Sequence, residues 1–150
     1  MMKSNQILVV CDSQRAQFYN FSQAHNHLNL TYITGIEQDN PPSRDQGTDK
    51  PGIVFSRAHG SGSYVAERDY HTQTSELFAQ SIINIAHTMR KNNKIEGIGW
   101  IAPPRMLSML RLHRPHELSD ITFVEINKDL TKHPKDELIK HLKHYLIRNT

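Results

Sequence analysis

The sequence Gln-Ile-Leu-Val-Val-Cys at residues 6–11 decides the fold of this chain. A short continuous apolar run is typical of a strand that is buried on both faces of a sheet. The next three residues, Asp12-Ser13-Gln14, carry side chains that favour a turn. The pattern therefore predicts a first strand that is covered on both sides and a tight reversal of the chain directly after it.

Two more strands are predicted after this turn, because apolar and polar side chains alternate there. In residues 15–22 the apolar side chains alternate with Gln17 and Asn20, and residues 28–37 alternate in a similar way. The stretch His25-Asn26-His27 between them is a second polar turn. Since short turns join neighbouring strands, the first three strands are expected to form an antiparallel meander.

Residues 38–70 show no hydrophobic period and contain three prolines and four glycines. This composition predicts a long irregular loop. Loops of such length in a small domain are usually functional or disordered, so this segment is the most unusual feature of the chain.

Helices and strands alternate in the second half. Apolar side chains at spacings of three and four predict a helix over residues 72–92. Residues 96–102 predict a buried strand, and its glycines indicate the close approach of a neighbouring element. A helix between Pro103 and Pro115, a strand at residues 121–127 and a helix that begins at Pro134 follow.

The predicted order is β-β-β-α-β-α-β-α, which defines an α/β fold with a mixed five-stranded sheet. Strands 1, 4 and 5 are expected to be parallel, because a strand–helix–strand connection crosses over the sheet. The order matches ribonuclease H-like topology. A chain of 150 residues fits one domain over residues 1–150.

Composition narrows the possible functions. The single cysteine, Cys11, excludes an internal disulfide and a Cys-based zinc site, and it is expected to be a buried apolar residue. No apolar segment has the length of a signal peptide core or a membrane span, so we expect a cytoplasmic protein without a membrane partner.

Residues 1–88 carry a net charge of −2 and residues 89–150 a net charge of +5. The basic half is either a surface for nucleic acid or a solvated pair of helices.

A candidate site lies where the parallel strands end, since ligands of open α/β sheets bind beyond the carboxyl ends of these strands. Asp12, Arg105 and Asp129 follow the three ends and are expected to share one rim, with helix N-termini that attract anions nearby. The alternative for Asp12 is a turn residue. The candidate ligand- or RNA-binding residues are Asp12, Arg15, Arg44, Thr48, Asp49, Lys50, His71, Arg105, Lys128, Asp129, Thr131 and His133.

Histidines are numerous but do not form a ligand pattern. His141 and His144 stand three residues apart on the last predicted helix, among lysines. We expect a solvated face there rather than a metal site, and no metal or cofactor is predicted.

The chain resembles the host-attachment protein family. The blocks that carry this resemblance are Asn40-Pro41-Pro42, the run from Arg44 to Gly52, Ala102-Pro103-Pro104 and the run from Lys128 to Pro134. The family title implies a role in bacterial attachment to host cells, and without an export signal we expect that role to be indirect. The family is similar to the middle domain of archaeal and eukaryotic peptide-release factors, which implies the same element order and a Gly-Gly-Gln loop after strand 3. Residues 38–70 contain no Gly-Gly-Gln, which argues against release-factor hydrolysis.

Three functions follow from these observations. The first is a non-catalytic module that binds RNA or the ribosome, with the loop and the strand-end rim as its contact surface. The second is a hydrolase, either a metal-dependent nuclease or an aminoacyl-ester hydrolase, which requires Asp12, Asp49, Asp129 and His133 to converge. The third is a protein-interaction domain, which predicts an exposed apolar patch or a homodimer. We favour the first, and no enzyme activity is expected.

Overall fold

Five strands form one mixed sheet in the computed structural model, which describes residues 5–25, 27–38 and 60–148 and the side chains of all of these except 60–71 and 147–148. The strands are β1 (Gln6–Cys11), β2 (Arg15–Ala24), β3 (His27–Glu37), β4 (Gly97–Ala102) and β5 (Thr122–Asn127). Their order across the sheet is β3-β2-β1-β4-β5. The pairs β1–β2 and β2–β3 are antiparallel, whereas β1–β4 and β4–β5 are parallel, which confirms the predicted meander and the predicted parallel strands.

Four helices accompany the sheet in the described part of the chain: α1 (Gly60–Asn93), α2 (Pro104–His113), α3 (His116–Asp120) and α4 (Lys135–Arg148). The short helix α3 was not predicted. Pro115 does end α2, but its fixed backbone angle also suits the start of a new helix, and the chain turns directly into α3.

Helix α1 corrects the predicted loop at residues 38–70. Its backbone is already helical at Gly60, so residues 60–70 belong to the helix and not to a loop. The prediction gave too much weight to Gly60 and Gly62, which lie in the first turn, where a low helix propensity costs least. Residues 39–59 of the predicted loop lie outside the described residues.

The sheet is covered on both faces. Helices α1, α2 and α3 pack on one face, here called the α1 face, against Val9, Phe18 and Trp100. Helix α4 packs on the other, the α4 face, against Leu8, Val10 and Ile101. Residues 7–11 of β1 are at most 1% exposed, so the opening apolar run is covered on both sides as predicted.

Gly97 and Gly99 allow the side chain of Phe123 to cross β4. A Cβ atom at Gly99 would lie 2.8 Å from Val124 and 3.3 Å from Phe123, and one at Gly97 would lie 3.2 Å from Phe123. The Phe123 ring instead reaches over these positions to Phe21, with ring centroids 5.3 Å apart. The close approach that was predicted from the glycines is therefore confirmed, and its cause is a phenylalanine of β5.

No helix among the described residues is both long and apolar enough to cross a membrane.

Candidate functional site

The turn after β1 is built on the side chain of Asp12. Its Oδ1 atom accepts hydrogen bonds from the backbone N–H groups of Gln14, at 2.8 Å, and Arg15, at 2.9 Å. The N–H of Asp12 donates in return to the carbonyl oxygen of Arg15 at 2.9 Å. A short side chain with an acceptor oxygen is favourable in such turns, because it replaces a backbone acceptor. Asp12 thus has the alternative role predicted for it, that of a turn residue.

The same carboxylate also meets the loop between β5 and α4. Thr131 Oγ1 lies 2.9 Å from Asp12 Oδ2 and 3.1 Å from Asp129 Oδ1, and Thr131 is 3% exposed. A hydroxyl has one hydrogen, so it donates to one of the two carboxylates at a time. Thr131 therefore holds Asp12 and Asp129 together at the carboxyl edge of the parallel strands, as the rim hypothesis predicts.

Cys11 lies directly beneath this pair and is fully buried. Burial raises the pKa of its thiol, and the carboxylates of Asp12 and Asp129 raise it further. The thiolate is the reactive form of cysteine. Cys11 is accordingly a buried apolar residue, as predicted, and not a nucleophile.

Two arginines lie at the same edge of the sheet. Arg105 is exposed in the first turn of α2, directly after β4, which runs between β1 and β5. Arg15 begins β2 opposite Glu37 of β3. Within the described side chains, no hydrogen bond joins Arg105 to Asp12 or Asp129. The rim consequently consists of two carboxylates joined through Thr131 and of an exposed arginine.

A second group of side chains lies beside α4 and is here called the basic cluster: the predicted site residues Lys128 and His133, together with His141 and His144, for which only a solvated face was predicted. The Nζ atom of Lys128 is 5.8 Å from the centre of the Tyr145 ring, and the His144 and Tyr145 rings are 6.0 Å apart. The His133 and His141 rings are 5.8 Å apart. The basic cluster therefore combines cationic side chains with aromatic rings.

The electrostatics of the basic cluster are those of like charges held close together. Burial lowers the pKa of His141, and the positive charges of Lys128, His133 and His144 lower it further. Glu137 acts in the opposite direction, but its Oε1 atom is already bound to His133 Nδ1 at 2.8 Å. A bound anion would relieve this repulsion, because it favours the protonated form of each neighbouring histidine.

Five predicted site residues cannot be placed by their side chains. Arg44, Thr48, Asp49 and Lys50 lie outside the described residues, and His71 lies within α1, where the backbone alone is described.

The convergence that a hydrolase requires is not formed by the residues that are described. Asp12 and Asp129 meet at Thr131, whereas His133 turns to Glu137, four residues later in the chain. Among the side chains that the structure describes, no three of His, Cys, Asp or Glu gather to hold a metal ion. The carboxylate pair is thus supported by a hydroxyl and by backbone donors.

One charged network was missed by the sequence analysis. Glu125 of β5 accepts hydrogen bonds from Arg111 Nε and Nη2, at 2.9 and 2.6 Å, and from Arg114 Nη2 at 2.6 Å. Arg114 also lies over the ring of Trp100, 5.6 Å from its centre. Burial alone would raise the pKa of Glu125, but the two arginines hold it below its ordinary value. The available signal was a glutamate inside an otherwise apolar strand, since such a charge requires partners.

Comparison with known proteins gives one result. No curated protein matches the chain significantly. A family model described as protein required for attachment to host cells matches residues 7–142, a span that includes all of the sheet except Gln6, the Asp12–Thr131–Asp129 rim and most of the basic cluster. The chain therefore belongs to the family of proteins required for attachment to host cells.

Proposed function

We propose that this member of the host-attachment family is a non-catalytic RNA-binding module, and that the basic cluster beside α4 is its main contact surface. The observation that carries the proposal is the close grouping of Lys128, His133, His141 and His144 beside α4, with the His133 ring 5.8 Å from that of His141 and Lys128 Nζ 5.8 Å from the centre of the Tyr145 ring.

When the histidines are protonated, like charges at such distances destabilise the free protein, and a phosphate backbone would reverse that cost. Lys128 has its Nζ atom exposed above Tyr145, and Lys132, Lys135, Lys140 and Lys143 are exposed on the same loop and helix. Neutralising phosphates with such residues releases counterions, which is the main source of sequence-independent affinity for nucleic acid.

The rings of the basic cluster favour single-stranded RNA over a duplex. The Tyr145 ring lies beside Lys128 and beside the His144 ring, and the His133 ring lies beside that of His141. Unpaired bases stack on aromatic rings while the backbone follows a positive groove, and this combination is typical of single-strand binding.

The hydrolase alternative has less support. All three hydrogen bonds that the Asp12 carboxylate makes among the described residues serve the turn or Thr131, and His133 is bound to Glu137. The protein-interaction alternative is weakened by the placement of the large apolar side chains that are exposed among the described residues. Tyr32 and Ile33 lie on β3, whereas Leu77 and Leu112 lie on helices of the α1 face. Apolar side chains scattered in this way are normal on a protein surface.

The kind of RNA and the place of action are inferred from the resemblance of the sequence to the host-attachment family. A relationship to the middle domain of release factors and to ribonuclease H-like domains would make ribosomal RNA the natural target, with the cytoplasm as the place of action. The sheet order β3-β2-β1-β4-β5 supports this relationship. Host attachment would then depend on the protein indirectly, through RNA.

Fluorescence anisotropy of the full chain with a labelled single-stranded RNA of mixed sequence tests the proposal. We expect binding at about 50 mM salt that weakens steeply at about 200 mM. Lys128→Gln should lower the slope of log affinity against log salt by about 1, because one phosphate contact is removed. Lys91→Gln is the matched control, since Lys91 is exposed at the end of α1, on the opposite side of the sheet. Absence of binding at low salt, or equal effects of the two substitutions, would overturn the proposal.

A further inference from the structure

A small polar cavity lies on the α4 face of the sheet, where β2 begins and β3 ends. Its volume is about 270 Å³, and it is lined by Arg15, Ala16, Gln17, Tyr32, Gly35, Ile36 and Glu37. Arg15 also contributes its backbone N–H to the Asp12 turn, so the cavity directly adjoins the rim.

The cavity owes its shape to a β-bulge. Tyr19 pairs with Tyr32, but the preceding residue, Phe18, pairs with Thr34, so Ile33 has no partner on β2. The extra residue keeps Tyr32, Gly35 and Glu37 on one face of the sheet. Bulges of this kind re-aim side chains and are common beside binding sites.

Tyr32 is held as one wall of the cavity. Its ring packs edge-on against Tyr19, with centroids 5.8 Å apart and planes at 78°, yet Tyr32 is 57% exposed. Its hydroxyl lies over Gly35, where a Cβ atom would come within 2.6 Å of the oxygen. Because Gly35 has no side chain, it leaves room for the hydroxyl end of Tyr32. The Tyr32 ring is therefore still accessible to solvent.

The two charged side chains of the cavity, Arg15 and Glu37, do not pair with each other. Arg15 stands directly opposite Glu37 in the register of β2 and β3, and among the described residues these two side chains form no ion pair with each other. Gln17 receives a long hydrogen bond, at 3.4 Å, from the Tyr19 hydroxyl. A guanidinium that only donates, a carboxylate that only accepts and an open aromatic ring thus surround one space.

We propose that this cavity binds an unpaired nucleobase, with a preference for guanine. A base stacks on the open face of Tyr32, as single-stranded bases do on exposed aromatic rings. Guanine presents two adjacent N–H donors on its Watson–Crick edge, which suit the carboxylate of Glu37. It also presents O6 and N7 as acceptors, and arginine is their usual partner. The inference rests on the proposed RNA-binding function, to which it adds a site that reads a base.

The full chain, labelled with ¹⁵N, is titrated with the four nucleoside 5′-monophosphates and with inorganic phosphate. We expect GMP to shift the amide signals around Tyr32 and Gly35 at lower concentration than the other nucleotides do, and inorganic phosphate to leave these signals in place. Tyr32→Leu should weaken GMP binding about tenfold, because stacking is lost. Glu37→Gln should bring the affinity for GMP down to that for AMP. Equal binding of all four nucleotides, or no effect of either substitution, would overturn the proposal.

Two further measurements distinguish a failure of the cavity proposal from a failure of the RNA-binding function. Tyr32 and Glu37 are exposed, so their substitution leaves the core intact. Lys128→Gln should weaken RNA binding and leave the GMP-induced shifts at Tyr32 unchanged. If RNA binds but is indifferent to Tyr32→Leu and Glu37→Gln, the cavity does not read a base and the RNA-binding function stands. If GMP binds with these dependences and RNA does not, the cavity stands and the RNA-binding function fails.

Discussion

The hydroxyl of Thr131 lies 2.9 Å from the carboxylate of Asp12, which joins the loop before α4 to the turn after β1 across 119 residues of sequence. The same hydroxyl is 3.1 Å from Asp129. One buried side chain thereby fixes the position of both carboxylates at the strand-end rim.

Removal of this hydroxyl should destabilise the protein. Thr131→Val keeps the shape of the side chain but leaves Asp12 Oδ2 without its donor, so we expect a loss of about 1–2 kcal/mol in the free energy of unfolding. Urea denaturation measures the change. Thr131→Ser retains the hydroxyl and serves as the control. A Val variant as stable as the wild type would show that the hydrogen bond contributes nothing.

The network around Glu125 predicts a loss of stability in acid. Its side chain is 20% exposed, and the net effect of its surroundings is a folded-state pKa below the ordinary value of 4.5. The stabilisation is therefore complete above about pH 4.5 and is lost as the pH falls through the lower folded-state pKa. Glu125→Gln should lower the free energy of unfolding by about 2 kcal/mol near neutral pH, since it leaves the largely buried cation of Arg114 without its countercharge.

Urea denaturation of wild type and Glu125→Gln at several pH values checks this sign. The difference between the two proteins should shrink as the solution becomes more acidic. Glu117→Gln is the control, because Glu117 is 54% exposed and has a histidine as its partner. A difference that is constant with pH would contradict the assignment.

The basic cluster predicts a second dependence on pH, at a higher range. Burial and neighbouring positive charges lower the pKa of His141 from its ordinary 6.5, so the unfolded chain takes up the proton before the folded protein does. Stability should therefore be greatest above pH 6.5 and decline as the pH falls through that value towards the folded-state pKa. His141→Gln should reduce this decline. His116→Gln, at a side chain that is 86% exposed, is the control.

Bound RNA should shift the same group in the opposite direction. A phosphate near His141 favours its protonated form, so the pKa of His141 should rise on binding. Titration of the histidine ring signals by NMR, with and without a short RNA, measures the shift. An unchanged His141 in the presence of bound RNA would place the contact surface elsewhere.

The close packing of Val124 and Leu8 against Gly99 predicts that this position tolerates no side chain. A Cβ atom there would lie 2.8 Å from Val124 and 3.0 Å from Leu8, both of them packed in the core. Gly99→Ala should destabilise the protein by about 1–3 kcal/mol through overpacking. Gly97→Ala is the matched comparison, because its nearest neighbour is the flexible side chain of Gln6 at 3.0 Å, which can move aside. Thermal unfolding that ranks the two variants equally would contradict this packing.

Much of the fold could be predicted because it depends on local patterns. The apolar run of β1, the alternation in β2 and β3, and the prolines before α2 and α4 each specify an element through nearby residues. The start of α1 and the short helix α3 were missed. At these points the local signal, glycines in one case and a proline in the other, allows more than one backbone conformation.

The sequence alone also determined that Asp12, Arg105 and Asp129 follow the three parallel strands, since their positions need nothing beyond the strand order. Only the tertiary structure decided what these groups touch. Thr131 reaches Asp12, the His133 ring lies beside that of His141, and the bulge at Ile33 opens a cavity at Tyr32. Such contacts depend on the register of strands and on the angle at which a helix packs, and these are set by the whole core at once rather than by any short stretch of the chain.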